Sequence, residues 1–299
     1  MFHYICSLVK DDLLSNTGNF MFSNGLSLSL HDQVAVVLRR LSTGDSLIMT
    51  GDFFGVGHSM VFQVTWRFIE ALEEKAHHHV KWPSTTERNE ESEIQIRGCL
   101  RSPQLPWRNR PHAHCNQLLT KDPNASSWLD EQDNYSVVLQ AITSHFNQLC
   151  EKITLLCEQV GLPDGTNIRD YVTGDSDYPL LPHLITPYRG RDVSGSKLEF
   201  NRRHGKAIAM AQRALTELKD NWRIIKGVMW RPDRHRLSRV ILACCLLHNI
   251  GIDIDNGKCD RGTVSGAHDP GYDQRLCPVV DEGGESLREK LCPVSSGRL

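Results

Sequence analysis

The chain has 299 residues, 39% apolar and 23% charged, the balance of a soluble globular protein that can bury one large core, or a core plus a small helical domain. A net charge of −2 excludes a chain that is basic along its whole length. The charge is uneven, however: Arg189 to Arg239 carries 14 Lys+Arg against 5 Asp+Glu, which predicts a basic face on an acidic body, although a solvated helix surface gives the same pattern. Ten cysteines lie scattered without a Cys-x-x-Cys spacing, the usage of a reducing compartment rather than of a disulfide framework. Met1-Phe2-His3-Tyr4-Ile5 has neither a basic lead nor a cleavage site, so no secretory signal is expected. The longest apolar stretch, Val240 to Ile254, is interrupted by His248, Asn249 and Asp253 and is short for a bilayer span. An intracellular protein with no membrane partner is expected.

Residues 1–82 read as a helical domain. Ser29-Leu30-His31-Asp32 fits a capping box ahead of Val34, Val37, Leu38 and Leu41, and Gly44 closes that helix. A short helix ends near Phe54, Gly55-Val56-Gly57 makes a tight turn, and Ser59 is placed as the cap of a longer helix. The apolar stripe of that helix is Val61, Val64, Phe68 and Leu72, with Gln63 and Arg67 on the solvent side. Helix, glycine turn and second helix form a helix-turn-helix signature, which an ordinary helical hairpin shares.

Residues 83–133 lose both periodicities and are punctuated by Pro83, Pro103, Pro106, Pro111 and Pro123, so a long loop or disorder is expected. Tyr135 to Ile142 reads as a buried strand, Ser144 to Val160 as a helix, and Ile168 to Thr173 as a strand leading into Asp175. A helix then starts near Gly205, with Ile208, Ala211, Leu215, Leu218, Trp222 and Ile225 on one face and Gln212 on its flank. A further buried helix runs through Leu237, Val240, Ile241, Cys244 and Leu247. The segment 257–299 reads as a loose tail rich in Gly, Pro and acids.

Gly174-Asp175-Ser176-Asp177-Tyr178-Pro179 places a carboxylate at the end of a strand. Together with a carboxylate on the following helix, beneath a basic surface, that is how a divalent metal is held over a phosphodiester. Here the helix position holds Gln212, whose neutral carbonyl oxygen compensates no charge. Asp175 is also well placed for a plain structural role, as a turn aspartate before Tyr178-Pro179. His77-His78-His79 ends a helix and suits its dipole better than a shared metal. His112, His114 and Cys115 lack a second ligand pair at zinc spacing, and Cys150 and Cys157 read as core.

Four runs in order, DQVAVVLRRLSTGDS with GVGHSMVFQVTWRFIEALEEKAHHHVKWPS, GDSDYPLLPHLITPY, EFNRRHGKAIAMAQRALTELKDNWRII and CCLLHNI, together resemble the Harbinger-transposase-derived nuclease-like proteins of the antagonist-of-like-heterochromatin-protein branch. The likeness covers residues 1–83, 128–142 and 146–299. It implies an α+β, helix-rich architecture with an RNase H-like DDE nuclease domain and a divalent metal, Mg or Mn, in active relatives. It also implies a nuclear location, DNA or chromatin association, and a Myb-like or chromatin-associated protein partner. Matched motif by motif, the second acid of the family falls on Asp175, the metal ligand retained here, and the third on Gln212 of Ala211-Gln212-Arg213-Ala214. Nothing between Ser84 and Lys121 matches the first-acid strand, and Arg97 to Leu119 looks like that region read in another frame. The hairpin that should follow Ile142 is absent, so the domain is expected to be degenerate, with strands missing.

Three readings follow from these motifs. One is a domesticated, catalytically impaired protein acting through chromatin, DNA or protein contacts. Another is an active metal-dependent DNA endonuclease, a hydrolase. The third is a regulator that uses the helix-turn-helix alone. Arg67, Arg202, Arg203, Lys206 and Arg213 are the candidate nucleic-acid contacts. The missing strands predict that residues 1–82 outlast the remainder in limited proteolysis.

Overall fold

Ser29 forms the capping box expected of it. Its hydroxyl accepts from the Asp32 N–H at 3.2 Å, and the Asp32 carboxylate accepts from the Ser29 N–H at 3.0 Å. These reciprocal bonds start α2 (Leu30–Thr43), and Gly44 in the left-handed region ends it. Around this helix stand α1 (Phe2–Ser15), α3 (Leu47–Phe54) and α4 (His58–Ala76). The computed structural model describes residues 1–15, 20, 24–80, 98–107, 135–143, 149–150, 159–161, 167–169, 171–190, 193–226, 234–255 and 277–294. The His112, His114 and Cys115 group and Cys157 lie outside them.

The predicted stripe of α4 is buried throughout: Val61, Val64, Phe68 and Leu72 have no solvent exposure. Its cap differs from expectation. Gly57, in an extended conformation, is the N-cap, and its carbonyl accepts from the Met60 and Val61 N–H groups, so Ser59 is already inside the first turn. The α3–α4 turn closes on Gly51, where the Val56 N–H donates to the Gly51 carbonyl at 2.9 Å. A Cβ added at Gly51 would lie 2.6 Å from the Val56 carbonyl oxygen. Gly51→Ala should therefore cost about 1–3 kcal/mol by overpacking, read as a lower urea midpoint at unchanged m-value.

The chain then supplies β1 (Gly98–Trp107), β2 (Tyr135–Thr143), β3 (Leu149–Cys150), β4 (Gln159–Gly161), β5 (Asn167–Arg169), β6 (Val172–Gly174) and β7 (Leu184–Ile185). Five strands form one mixed sheet in the order β3-β2-β1-β6-β7. Its β1–β6 and β6–β7 pairs are parallel and its β2–β3 pair antiparallel, while β4 and β5 form a separate antiparallel pair. The strand expected at Tyr135 to Ile142 is present as β2.

Three expectations for this region are corrected. The stretch 83–133, read as loop, contains β1. Its residues paired with β6, Gly98 and Cys99, precede Pro103 and Pro106, so neither proline has to donate to that ladder. Within the stretch read as a helix over Ser144 to Val160, Leu149–Cys150 and the residues from Gln159 are strands, paired with β2 and β5, and the rest of that stretch lies outside the described residues. Ile168 belongs to β5, and only Val172–Gly174 leads into Asp175.

Three helices complete the chain: α5 (Ser196–Asn221), α6 (Arg234–Ile254) and α7 (Glu282–Val294). The six apolar positions predicted for one face, Ile208 to Ile225, are all buried, but the helix begins nine residues before the Gly205 expected. The last two of them, Trp222 and Ile225, lie beyond α5, in and beside a 3-10 turn at Arg223–Ile225. Within the stretch read as a loose tail, Glu282–Val294 is a helix. The Asp281 carboxylate accepts from the Gly283 and Gly284 N–H groups, Glu282 and Glu285 favour the N-terminal dipole, and α7 buries Leu291 and Cys292.

Two compact units divide within α5, between Leu215 and Thr216. The first holds α1 to α4, a 3-10 turn at His77–His79, the end of α5 and α6. In it α4 packs against α1, α2, α3 and α6, so the helical domain expected to close at residue 82 takes in a helix from far along the chain. By length and composition alone, Arg236–Ile254 could cross a membrane. Its Ala243, Cys244, Leu246, Leu247, Asn249 and Ile250 are buried, and the Asn249 amide donates to the His79 carbonyl at 2.7 Å, which makes α6 a core helix. The second unit holds β3 to β7, the paired ends of β1 and β2, the first part of α5 and α7. Its core is Tyr171, Leu180, Ile185, Phe200, Leu291 and Cys292.

Candidate functional site

β6 has parallel neighbours on both sides, and Asp175 follows directly at its carboxyl end, the place where such sheets hold ligands. Asp175 is only 9% exposed. One carboxylate oxygen accepts from the Asp177 N–H at 3.1 Å, and its carbonyl accepts from the Tyr178 N–H at 3.3 Å. The aspartate thus closes its own turn, the structural role its sequence context also allows.

The register of the neighbouring strand bears on the chemistry. Gly98 stands opposite Thr173 and Cys99 opposite Gly174, the last residue of β6 before Asp175. β1, GCLRSPQLPW, contains no Asp or Glu. Gln212 lies on α5 beside the buried Ala211 and is exposed. Among the described residues, no three His, Cys, Asp or Glu side chains form a group able to hold a metal ion. Among the described residues, one carboxylate engaged in a turn and an exposed amide do not by themselves make a site for a hard divalent cation, which needs several anionic oxygens.

His204 was missed in the sequence. It is 4% exposed, on the face of α5 that carries Phe200 and Ile208, with its ring against Phe200. Nε2 lies 3.4 Å from the Ile185 carbonyl, and the Gly174 backbone is a second partner, so the imidazole meets β6 and β7 beside Asp175. Burial pulls its pKa down from 6.5 to about 4, against the opposing effect of the backbone bonds. The signal was available: four residues before Ile208, His204 extends the buried stripe.

The basic candidates divide. Arg202 donates to both Glu199 oxygens at 2.7 and 2.6 Å, and Arg203 donates to the same carboxylate at 2.9 Å. Hydrogen bonds from Arg202, then Arg203, hold the Glu199 carboxyl down at about 2. Lys206 and Arg213 are exposed on the same helix. Arg67, expected on the solvent side, stacks its guanidinium on the buried Phe20 ring at 4.7 Å. Arg39 stacks on Phe53 at 3.5 Å and pairs with Asp45, and burial pulls the Arg40 pKa down. Arg236 lies over Trp66, and Arg239 pairs with Glu73 at 2.6 Å. Within 189–239, Arg202, Arg203, Lys226 and Arg239 are partnered by carboxylates, while Lys206 and Arg213 are exposed. Of the three histidines at 77–79, His79 accepts or donates at Tyr4 Oη, 2.9 Å away, and bonds the Asp253 carboxylate, a structural clasp rather than a chelate.

A strand-end aspartate beside a following helix is compatible with a DDE endonuclease domain, and comparison with known proteins gives the class. The family described as DDE superfamily endonuclease matches residues 113–249, and members of that superfamily typically use divalent metals. The chain is 42% identical to the protein ALP1-like of Arabidopsis thaliana, over 99% of this chain and 79% of that protein. It is 40% identical to the Arabidopsis thaliana protein antagonist of like heterochromatin protein 1, over 96% and 79%. The candidate nuclease HARBI1 of Mus musculus is 22% identical over 76% of this chain and 68% of its own. No solved structure matches. The chain belongs to the Harbinger-transposase-derived family of nuclease-like proteins, in the ALP1-like branch.

Proposed function

We propose that this chain is a domesticated, catalytically impaired transposase-derived protein that acts in the nucleus through chromatin, DNA or a chromatin-associated protein partner. The observation that carries the reading is the donor set: β1, the parallel neighbour of β6, contains no Asp or Glu, and the position matched to the third acid is the exposed Gln212. We read the mixed sheet as a degenerate RNase H-like sheet. The alignment with the ALP1-like protein spans 326 residues against 299 in this chain, so at least 27 positions face gaps, in keeping with lost strands. The printed name of the second relative, an antagonist of a heterochromatin protein, favours the chromatin link.

Purified protein should not nick supercoiled plasmid with Mg²⁺ or Mn²⁺. Metal-dependent nicking that vanishes in Asp175→Ala would overturn the reading in favour of an active endonuclease. A regulator using the helix-turn-helix alone is less favoured, because Arg39, Arg40 and Arg67 are stacked or buried within the helical unit.

Nonspecific DNA contact is assigned instead to the exposed side of α5. Lys206→Ala with Arg213→Ala should lower the slope of log K against log salt by about 2. Arg202→Ala with Arg203→Ala should lower it by only about 1, since Glu199 already neutralises one of these two guanidinium charges in the unmodified chain. Filter-binding titrations from 50 to 200 mM salt measure both, and a larger change from Arg67→Ala sinks the assignment.

A further inference from the structure

Arg189 is exposed and follows the Leu184–Ile185 strand by four residues, yet its guanidinium does not face solvent alone. One of its terminal nitrogens donates to the Ser176 carbonyl, in the turn that Asp175 opens, and the other donates to the Cys277 carbonyl. Around that fork the segment 277–281 runs along the same loop. The Cys277 N–H donates to the Ser176 carbonyl at 3.3 Å, the Leu180 N–H to the Val279 carbonyl at 3.0 Å, and the Asp281 N–H to the Leu180 carbonyl at 2.9 Å. α7 continues the contact. A Cβ at Gly284 would lie 2.7 Å from the Leu181 backbone, and Arg288 donates to the Pro187 carbonyl at 3.2 Å while covering Tyr188.

We propose that Arg189 is the positioning residue of the Asp175 loop, joining it to a brace made by residues 277–294. The loop from 175 to 189 is then held by two elements. On α5, Asn201 exchanges two hydrogen bonds with the Tyr188 backbone, and His204 reaches the ends of β6 and β7. On the C-terminal segment, the strap and α7 hold the remainder. A guanidinium suits the joint because it is permanently charged and planar, with separate donors for two carbonyls, and ionised donors make the stronger bonds. A lysine ammonium offers one point charge and cannot reproduce the fork. The carboxylate of Asp175 is thereby aimed by residues about one hundred positions downstream, and the loop keeps its shape without the other two acids. The inference rests on Asp175 as the retained acid and not on whether DNA is cleaved, so the plasmid assay and the test below fail independently.

The test uses the full chain as Arg189→Ala and Arg189→Lys. Carbodiimide-driven amidation reports carboxylate access, and hydrogen exchange reports the Asp177 amide that donates to Asp175. In both variants, Asp175 labelling should rise at least fivefold and Asp177 exchange at least tenfold. Labelling of Asp220 and Asp45, and exchange in α4, should stay as in the unmodified chain. Arg189→Lys keeps the charge and aliphatic stem, so it remains informative if the alanine variant does not fold. Unchanged Asp175 labelling and Asp177 exchange in either folded variant overturn the proposal. So does a uniform rise across the whole second unit, which marks a general stabiliser, or full rescue by lysine, which marks a charge effect without the fork.

Discussion

A fragment ending at residue 82 is expected to lose cooperative folding, although the sequence on its own predicts that it should be the resistant piece. The reason is α6. It packs along α4 and buries Val240, Ile241, Leu246, Leu247 and Ile250, while Arg239 reaches Glu73 and Asn249 satisfies the His79 carbonyl. At about 1.5–3 kcal/mol for each large apolar side chain buried, those five contribute on the order of 10 kcal/mol, similar to the whole net stability of a domain. Removing them also exposes part of the α4 stripe to water. Urea melts followed by circular dichroism should give a broad, shallow transition for 1–82 and a sharp one for the full chain. A sharp, single melt of the fragment would show that α6 is dispensable to the helical unit.

What could be read in the sequence and what could not follows from the range of the forces involved. The capping box at Ser29, the closure at Gly44 and the stripe of α4 depend on residues within one or two turns, and they form as expected. Asp175 at a strand end is likewise a local pattern, and it sits where Gly174 and Tyr178 put it. β1 escaped detection because its prolines argue against a strand, and only pairing with β6, some 75 residues on, gives it one. β3 and β4 escaped for a related reason, since partners outside the segment decide a two- or three-residue strand. α7 is masked by Gly283 and Gly284, which serve close approach rather than flexibility. A charge count for 189–239 does not show which cations are partnered: Glu199 and Asp220 within the run, and Glu73 outside it, each pair with members of it. His204, beside Arg202 and Arg203, lies in phase with the buried stripe of α5, a local signal that the charge of its neighbours obscures.

That histidine carries the last expected result, a loss of about 3 kcal/mol of stability between neutral pH and pH 4. Its folded pKa is about 4 against an ordinary 6.5, lowered chiefly by burial. Because the fold favours the neutral imidazole, the contribution is fully present above about pH 6.5 and declines as pH falls towards 4. Each pH unit of that separation is worth about 1.4 kcal/mol, which gives the figure above. Protonation would place a cation against Phe200, near Arg288, and between β6, β7 and α5, so the loss should open the unit at the Asp175 loop. Glu199 titrates lower still, with its carboxyl held at about 2, so its loss falls below this window. Urea unfolding of the full chain at pH 7, 6, 5 and 4, beside His204→Gln, separates the effect. The variant should be less stable at pH 7 and should lack most of the decline between pH 6.5 and 4. An equally steep decline in His204→Gln would assign the acid sensitivity to other groups and remove His204 from the account of how α5 is fixed beside the retained aspartate.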